Sequence, residues 1–308
     1  MTLHGGNSIR SLITMVLLLT LCWLGSSRPA AAQGRGNGNG GGGGGGGTGG
    51  GQTGWIEQFS DGNITSRGWG IEDTGSPDSQ FGVPGVGVVK SFERDNDYVR
   101  FENGLLRLKL NLANNGGTWT STGSMVYYRQ PTGPGVYEWC AKMSADASGT
   151  PLPGSVSAGF IYVNNSQTEI DFEQAHGKVI AGPNEPLYLW LYMANWFNRR
   201  LTFTRVKSAE LPGSPTPPPT YAEFKTYKFD WRSSSIEFRV NGEQLAFHTT
   251  NIPKTAGNVM MNHWGTNSPD GFGGAAQTGT AYFYVNWVRY TPPGGAVPSP
   301  GTSCPSAP

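Results

Sequence analysis

Glu169, Asp171 and Glu173 occupy alternate positions in the stretch Thr168-Glu169-Ile170-Asp171-Phe172-Glu173. A β-strand sends successive side chains to opposite faces, so the three acids would share one face. Ile170 and Phe172 would share the other and enter a core. Three neighbouring carboxylates repel one another, and each ionised group disfavours the next. Stability does not ask for this arrangement, which points to function. Cleavage of a glycosidic bond with retention needs two carboxyl groups roughly 5–5.5 Å apart, one a nucleophile and one a proton donor. Residues four apart on a strand have backbones roughly 13 Å apart, a gap that two inward-leaning Glu side chains can largely close. The shorter Asp171 between them can share a proton with either neighbour and help keep one Glu protonated near neutral pH.

A frame of strands must hold that face. Leu106, Leu108, Leu110 and Leu112 alternate with Arg107, Lys109 and Asn111. Tyr137, Trp139 and Ala141 alternate with Glu138, Cys140 and Lys142, and Ile236, Phe238 and Val240 alternate with Glu237, Arg239 and Asn241. Each is the pattern of a half-buried strand. Ala158 to Val163 is an apolar run just upstream of the acids, Asn241-Gly242 supplies a tight hairpin turn, and Phe283, Val285 and Trp287 close the domain. No long helical period and no internal repeat occur. The Pro-rich piece Leu211 to Thr220 reads as a surface loop. The expected fold is all-β, a two-sheet antiparallel sandwich. Charged residues make up only 14% of the chain against 12% aromatics, with ten Trp, which suits an aromatic-lined surface. The net charge of +1 and the lack of a dense basic run argue against nucleic acid as a partner.

The ends of the 308-residue chain differ from its middle. Residues 1–32 read as an export signal, with His4 and Arg10 before an apolar segment, Leu12 to Leu24, and Ala30-Ala31-Ala32 as a cleavage site. The apolar run is short for a membrane span, so no membrane association is expected after its removal. Residues 33–54 are a Gly-rich flexible linker, residues 55–291 the folded domain, and residues 292–308 a Pro-rich disordered tail outside it. Cys22 leaves with the signal. Export permits a Cys140–Cys304 disulfide, but the simpler expectation is a buried free Cys140. Neither cysteine has the spacing of a metal site.

Five blocks in order resemble glycoside hydrolase family 16, the family of licheninases, laminarinases and xyloglucan endotransglucosylases. They are Gly135-Val136-Tyr137-Glu138, then Glu169 to Glu173 in the unbulged form, then Tyr227 to Trp231 with Ile236 to Gly242. Asn251-Ile252-Pro253 with Val259 to Trp264, and Asn286 to Tyr290, complete the set. The resemblance implies a β-jelly roll whose concave face holds a long glycan. It implies Glu169 as nucleophile, Glu173 as general acid and base, and Asp171 as the assisting carboxylate. It places Asn262 and Trp264 in the substrate cleft, Arg129 in the donor subsites and Tyr192 as a cleft tyrosine. His263, beside Trp264, stands evenly between cleft contact and structural support. The chain also departs from the family pattern. Gln167-Thr168 replaces the licheninase Trp-Asp, Tyr127 replaces a cleft Glu, Gln174-Ala175-His176 replaces Phe-Leu-Gly, and Lys225 replaces a His. Asn286 stands where licheninases carry an Asp associated with structural calcium, which leaves it the candidate for such an ion. No other metal position, and no required cofactor, is indicated.

The expectation is a secreted or periplasmic, monomeric, retaining endo-glycosidase acting on a polysaccharide, a β-glucan with β-1,3 or β-1,3-1,4 linkages first among them. A transglycosylase using the same residues is one alternative. A non-catalytic glycan-binding protein on the same sandwich is the other.

Overall fold

The computed structural model describes residues 53–145, 150–163, 168–177, 188–211, 223–301 and 303–305. Residues 1–32, read above as an export signal, and nearly all of residues 33–54 lie outside this set, as does most of the stretch from Leu211 to Thr220. The strands are β1 (Trp55–Glu57), β2 (Trp69–Ile71), β3 (Val89–Phe92), β4 (Val99–Glu102), β5 (Leu105–Asn115) and β6 (Thr118–Tyr128). They continue with β7 (Gly135–Ala145), β8 (Ser155–Tyr162), β9 (Thr168–Gly177), β10 (Tyr188–Phe197) and β11 (Arg200–Lys207). The last five are β12 (Lys225–Trp231), β13 (Ile236–Val240), β14 (Glu243–His248), β15 (Asn258–Gly265) and β16 (Gly279–Thr291). Helix among the described residues is limited to two single 3₁₀ turns.

The strands form a jelly-roll sandwich, as the alternating patterns require. One layer runs β6-β5-β16-β7-β12-β13-β14 and the other β6-β15-β8-β9-β10-β11. β6 belongs to both: Thr118–Thr122 pair with β5, and Ser124–Tyr127 pair with β15. At the changeover stands Gly123, where an added Cβ would lie 2.2 Å from the His263 carbonyl oxygen. Only glycine lets the strand pass so close there.

The main core lies between the layers. The Leu106 and Leu108 row, the Tyr137-Trp139-Ala141 row and the Ile236-Phe238-Val240 row all point into it. Ile170, Phe172, Leu191, Met193, Val259 and Met261 meet them from the other layer. Asn241 and Gly242 adopt φ of 49° and 85°, the left-handed pair that the Asn-Gly hairpin needs. Val285 and Val288 both face inward because β16 slips its pairing with β7 between Val285 and Trp287. That bulge turns Asn286 and Trp287 outward.

The chain's end corrects two expectations. Cys140 is bonded to Cys304, not free. The Pro298 carbonyl also accepts a hydrogen bond from Arg289 Nη1 at 3.1 Å. The tail therefore returns to the outer face of β7 and β16. Cys140 sits on the outward-pointing positions of β7, opposite Trp287, where the returning chain can reach it.

Candidate active site

β9 is central in its layer, paired with β8 on one side and β10 on the other. Ile170 and Phe172 are fully buried in the main core, which fixes the parity of the strand. Glu169, Asp171 and Glu173 consequently share the opposite, concave face. Across the sheet, Tyr162, Glu169 and Trp196 form one row, Phe160, Asp171 and Ala194 the next, and Ala158, Glu173 and Tyr192 a third. Asn262 extends the third row on β15, and Arg205 extends it on β11. Trp264 and Trp190 belong to the following row, which crosses β9 at Ala175.

The electrostatics follow from this burial. Burial pushes Glu173 from 4.5 up to about 7. Glu169 is driven well above the ordinary carboxylate range, first by burial and then by the charge of Glu173. Asp171 is driven well above it by burial and by both glutamates. Burial also raises the Tyr192 phenol, with the charge of Glu173 adding to the effect and Arg205 opposing it. Three acids so placed cannot all ionise near neutral pH, so the face holds protons as well as negative charge. Asp171 Oδ2 and Asn262 Oδ1 are buried without a hydrogen-bond partner among the described residues.

Asn262, Trp264 and Tyr192 thus lie on the acids' face. His263 does not, and its assignment to the cleft is corrected. Alternation along β15 turns it into the main core, where its Nδ1 lies 3.0 Å from the Leu108 carbonyl oxygen and its ring meets Phe283 edge-on. Burial pulls its imidazole down to about 4, so it is neutral there. The signal was present in the sequence, because Asn262 and Trp264 cannot share a face with the residue between them. Arg129 is exposed just past the end of β6, and its guanidinium hydrogen-bonds the Trp69 carbonyl. With Tyr127, Asp73, Asp78 and Arg94 it lines a polar cavity of about 490 Å³. Asn286 is remote from the acids, on the outer face of the other layer; its Oδ1 is buried without a partner among the described residues. Those residues hold no group of three His, Cys, Asp or Glu side chains fit for a metal.

Sequence reasoning missed how far the concave face is covered. Residues 72–88 bring Phe81 to within 5.0 Å of the Tyr127 ring, and residues 266–278 bring Phe272 between Trp264 and Tyr192. Together with Phe160, Tyr162 and Met260 they make a second apolar cluster. Glu72, under the first of these loops, accepts hydrogen bonds from Ser79 Oγ and from the backbone N–H groups of Gln80 and Phe81. Arg205 lies 4.9 Å over the Trp190 ring. No periodicity marks these loop residues.

A jelly-roll sandwich with a row of acids on its concave sheet defines the class. The chain belongs to glycosyl hydrolases family 16, whose model matches residues 89–289. A curated relative, the Beta-glucanase of Brevibacillus brevis, is 45% identical over 71 residues, which is 22% of this chain and 27% of that protein. The Beta-glucanase of Bacillus subtilis is 39% identical over 69 residues, 22% of this chain and 28% of that protein. The chain thus spans little more than a quarter of the length of these curated relatives. Among solved structures, Bacillus licheniformis beta-glucanase superposes with a TM-score of 0.58 at 24% identity, covering 78% of this chain and 98% of that one. The laminarinase catalytic domain from Thermotoga maritima gives 0.56 at 15% identity, covering 77% of this chain and 96% of that one. At these identities the two structures speak for the shared fold.

Proposed function

We propose that this protein is a secreted, retaining endo-glycosidase that hydrolyses internal bonds of a β-glucan, with β-1,3 or β-1,3-1,4 linkages. The observation that carries the reading is the acid row of β9, with Glu169 and Asp171 buried and Glu173 half-buried, in a chain that belongs to this hydrolase family. A retaining hydrolase must begin with one carboxylate to attack and one carboxylic acid to donate. Burial and mutual repulsion keep protons in this row near neutral pH. The choice of Glu169 as carboxylate and Glu173 as acid follows the family pattern rather than the direction of these shifts.

In this mechanism the Glu169 carboxylate attacks the anomeric carbon while Glu173 gives its proton to the departing glycosidic oxygen. The C–O bond to the leaving sugar breaks and a glycosyl ester on Glu169 forms. Glu173, now a carboxylate, takes a proton from water, whose oxygen attacks the same carbon and releases Glu169. Asp171, between the two glutamates on the same face, is the assisting carboxylate that can take up the proton they share. Asn262 and Asp171 offer buried acceptor oxygens that sugar hydroxyls can satisfy. Arg129 and the polar cavity beside it serve the donor end.

Other features support the setting. The Cys140–Cys304 bond fits an oxidising compartment, in agreement with an export signal at residues 1–32. The chain works as a monomer in this proposal, with the polysaccharide as its partner. No helix among the described residues is long and apolar enough to cross a membrane. A structural calcium ion would take the Asn286 amide oxygen, a hard donor buried without a partner among the described residues, together with main-chain oxygens.

The test is product analysis on mixed-linkage glucan and laminarin, with the anomeric form of the first-formed reducing end read by NMR. Retention predicts the β anomer. Glu169→Gln and Glu173→Gln should each lower kcat by more than about a thousandfold, as expected for loss of a nucleophile or general acid. Glu169→Gln cleaving at the wild-type rate would overturn the assignment. Binding of glycan without cleavage by any form would make the protein a binding module.

A further inference from the structure

Phe272 lies in the connection between β15 and β16, eight residues beyond Trp264 in the chain. Its ring stacks on Trp264 at a centroid distance of 6.0 Å and an interplanar angle of 25°. It also meets Tyr192 at 4.9 Å and 58°. Trp264 and Tyr192 stand on β15 and β10, three strand spacings apart, so their backbones are separated by roughly 14 Å. A ring that touches both stands over β8 and β9. The concave-face residues beneath it are Val156, Ala158 and Ala175, which are small and leave room for it. Glu173 faces Ala158 on one side and Tyr192 on the other, at the edge of that gap.

The loop is held in place. Thr266 Oγ1 donates to the Val86 carbonyl at 2.8 Å and accepts from the Val86 N–H at 3.1 Å. The Asn267 N–H reaches the same carbonyl at 2.8 Å. Ser268 and Gly274 pair, and the Gly154 N–H donates to the Gly273 carbonyl at 3.0 Å. Gly273 has φ of 81°, and an added Cβ would meet Thr266 Cγ2 at 2.1 Å, so the turn behind Phe272 requires glycine.

We propose that Phe272 is a positioning residue for Glu173: its ring closes one wall of the cleft over the Ala158–Ala175 gap and keeps bulk water from that carboxyl. The inference rests on Glu173 being the acid. Trp264 and Tyr192, expected to stack on sugar, then act in part as the seat of the Phe272 ring. An apolar wall beside a carboxyl favours its protonated form, which is what proton donation needs. The charged or titratable groups on the face around Glu173 are Glu169 and Asp171 on β9, Tyr192 on β10 and Arg205 on β11, with Tyr162 on β8 in the row of Glu169. Asp270, on the Phe272 loop, is exposed.

The experiment compares wild type with Phe272→Ala, Phe272→Leu and Thr266→Val. The alkaline limb of kcat/KM marks loss of the acid's proton. Phe272→Ala should move that limb to lower pH by about one unit, giving roughly a tenfold loss above neutrality and little loss near pH 5. Phe272→Leu should restore most of the shift, and Thr266→Val should show a smaller shift of the same sign. A carbon-13 NMR titration of the Glu173 carboxyl, which needs no turnover, should move in parallel. A folded Phe272→Ala protein whose alkaline limb and Glu173 titration both stay put would overturn the inference. Should Glu173→Ala leave the rate unchanged, the acid assignment itself fails; should it abolish the rate while Phe272→Ala leaves the limb in place, only the role of Phe272 fails.

Discussion

Replacing Glu173 with Gln should leave a less active protein that is more stable at neutral and alkaline pH. Burial raises the Glu173 carboxyl in the folded chain from 4.5 to about 7. Between those two values the folded state binds a proton that the unfolded state has released. Stability therefore falls as pH rises through this window and levels off above it. At about 1.4 kcal/mol per pKa unit, the fold loses on the order of 3 kcal/mol from this one group. For a domain of this size that corresponds to roughly 6–12 °C in Tm. Glutamine has nearly the same shape and does not titrate, so Glu173→Gln removes the loss. Asp171 and Glu169, relieved of the Glu173 charge, change in the same direction. Calorimetry from pH 4.5 to 8.5 provides the assay. The two proteins should melt within about 2 °C of each other near pH 4.5, diverge up to about pH 7 and hold that gap above it, with the variant higher. Parallel curves across that range would refute the burial argument, and with it the proposed mixed protonation of the acid row.

Three further outcomes are expected. Cys304→Ser opens a cross-link between residues 164 apart in sequence, which should cost up to about 5 kcal/mol by loop-closure entropy and lower Tm, with cleft kinetics unchanged because the bond lies on the opposite layer. Asn195 Oδ1 lies 2.7 Å from His248 Nδ1, while its Nδ2 donates to the carbonyls of Thr250 and Asn251 at 3.0 and 2.7 Å, tying β10 to the segment after β14. Asn195→Ala should destabilise the fold by about 2–4 kcal/mol, measured by urea unfolding, because several buried polar groups lose partners together. Chelation by EDTA should lower Tm in the wild type and have less effect in Asn286→Ala; equal responses would remove Asn286 from the calcium proposal.

The local facts of the site were legible before any coordinates. Alternation in residues 169–173 placed three acids on one face and Ile170 and Phe172 in the core, because strand geometry leaves a side chain only two directions. Asn241-Gly242 announced its hairpin for an equally local reason, the φ > 0 pair that such a turn demands. The same rule would have removed His263 from the cleft had it been applied to β15, where Asn262 and Trp264 already occupied the other face.

What alternation could not supply was distance across the chain. Cys140 and Cys304 meet because the tail folds back over the outer face of β7 and β16, and neither residue's neighbours encode that meeting. Phe272 lies in a glycine-rich connection with no period of its own, yet the folded sheets carry it onto Tyr192, eighty residues earlier in the chain. The acids were written into one short strand. How dry they are, and so how readily they hold a proton, was decided by loops from elsewhere, since burial is a property of everything that packs around a group rather than of the group itself.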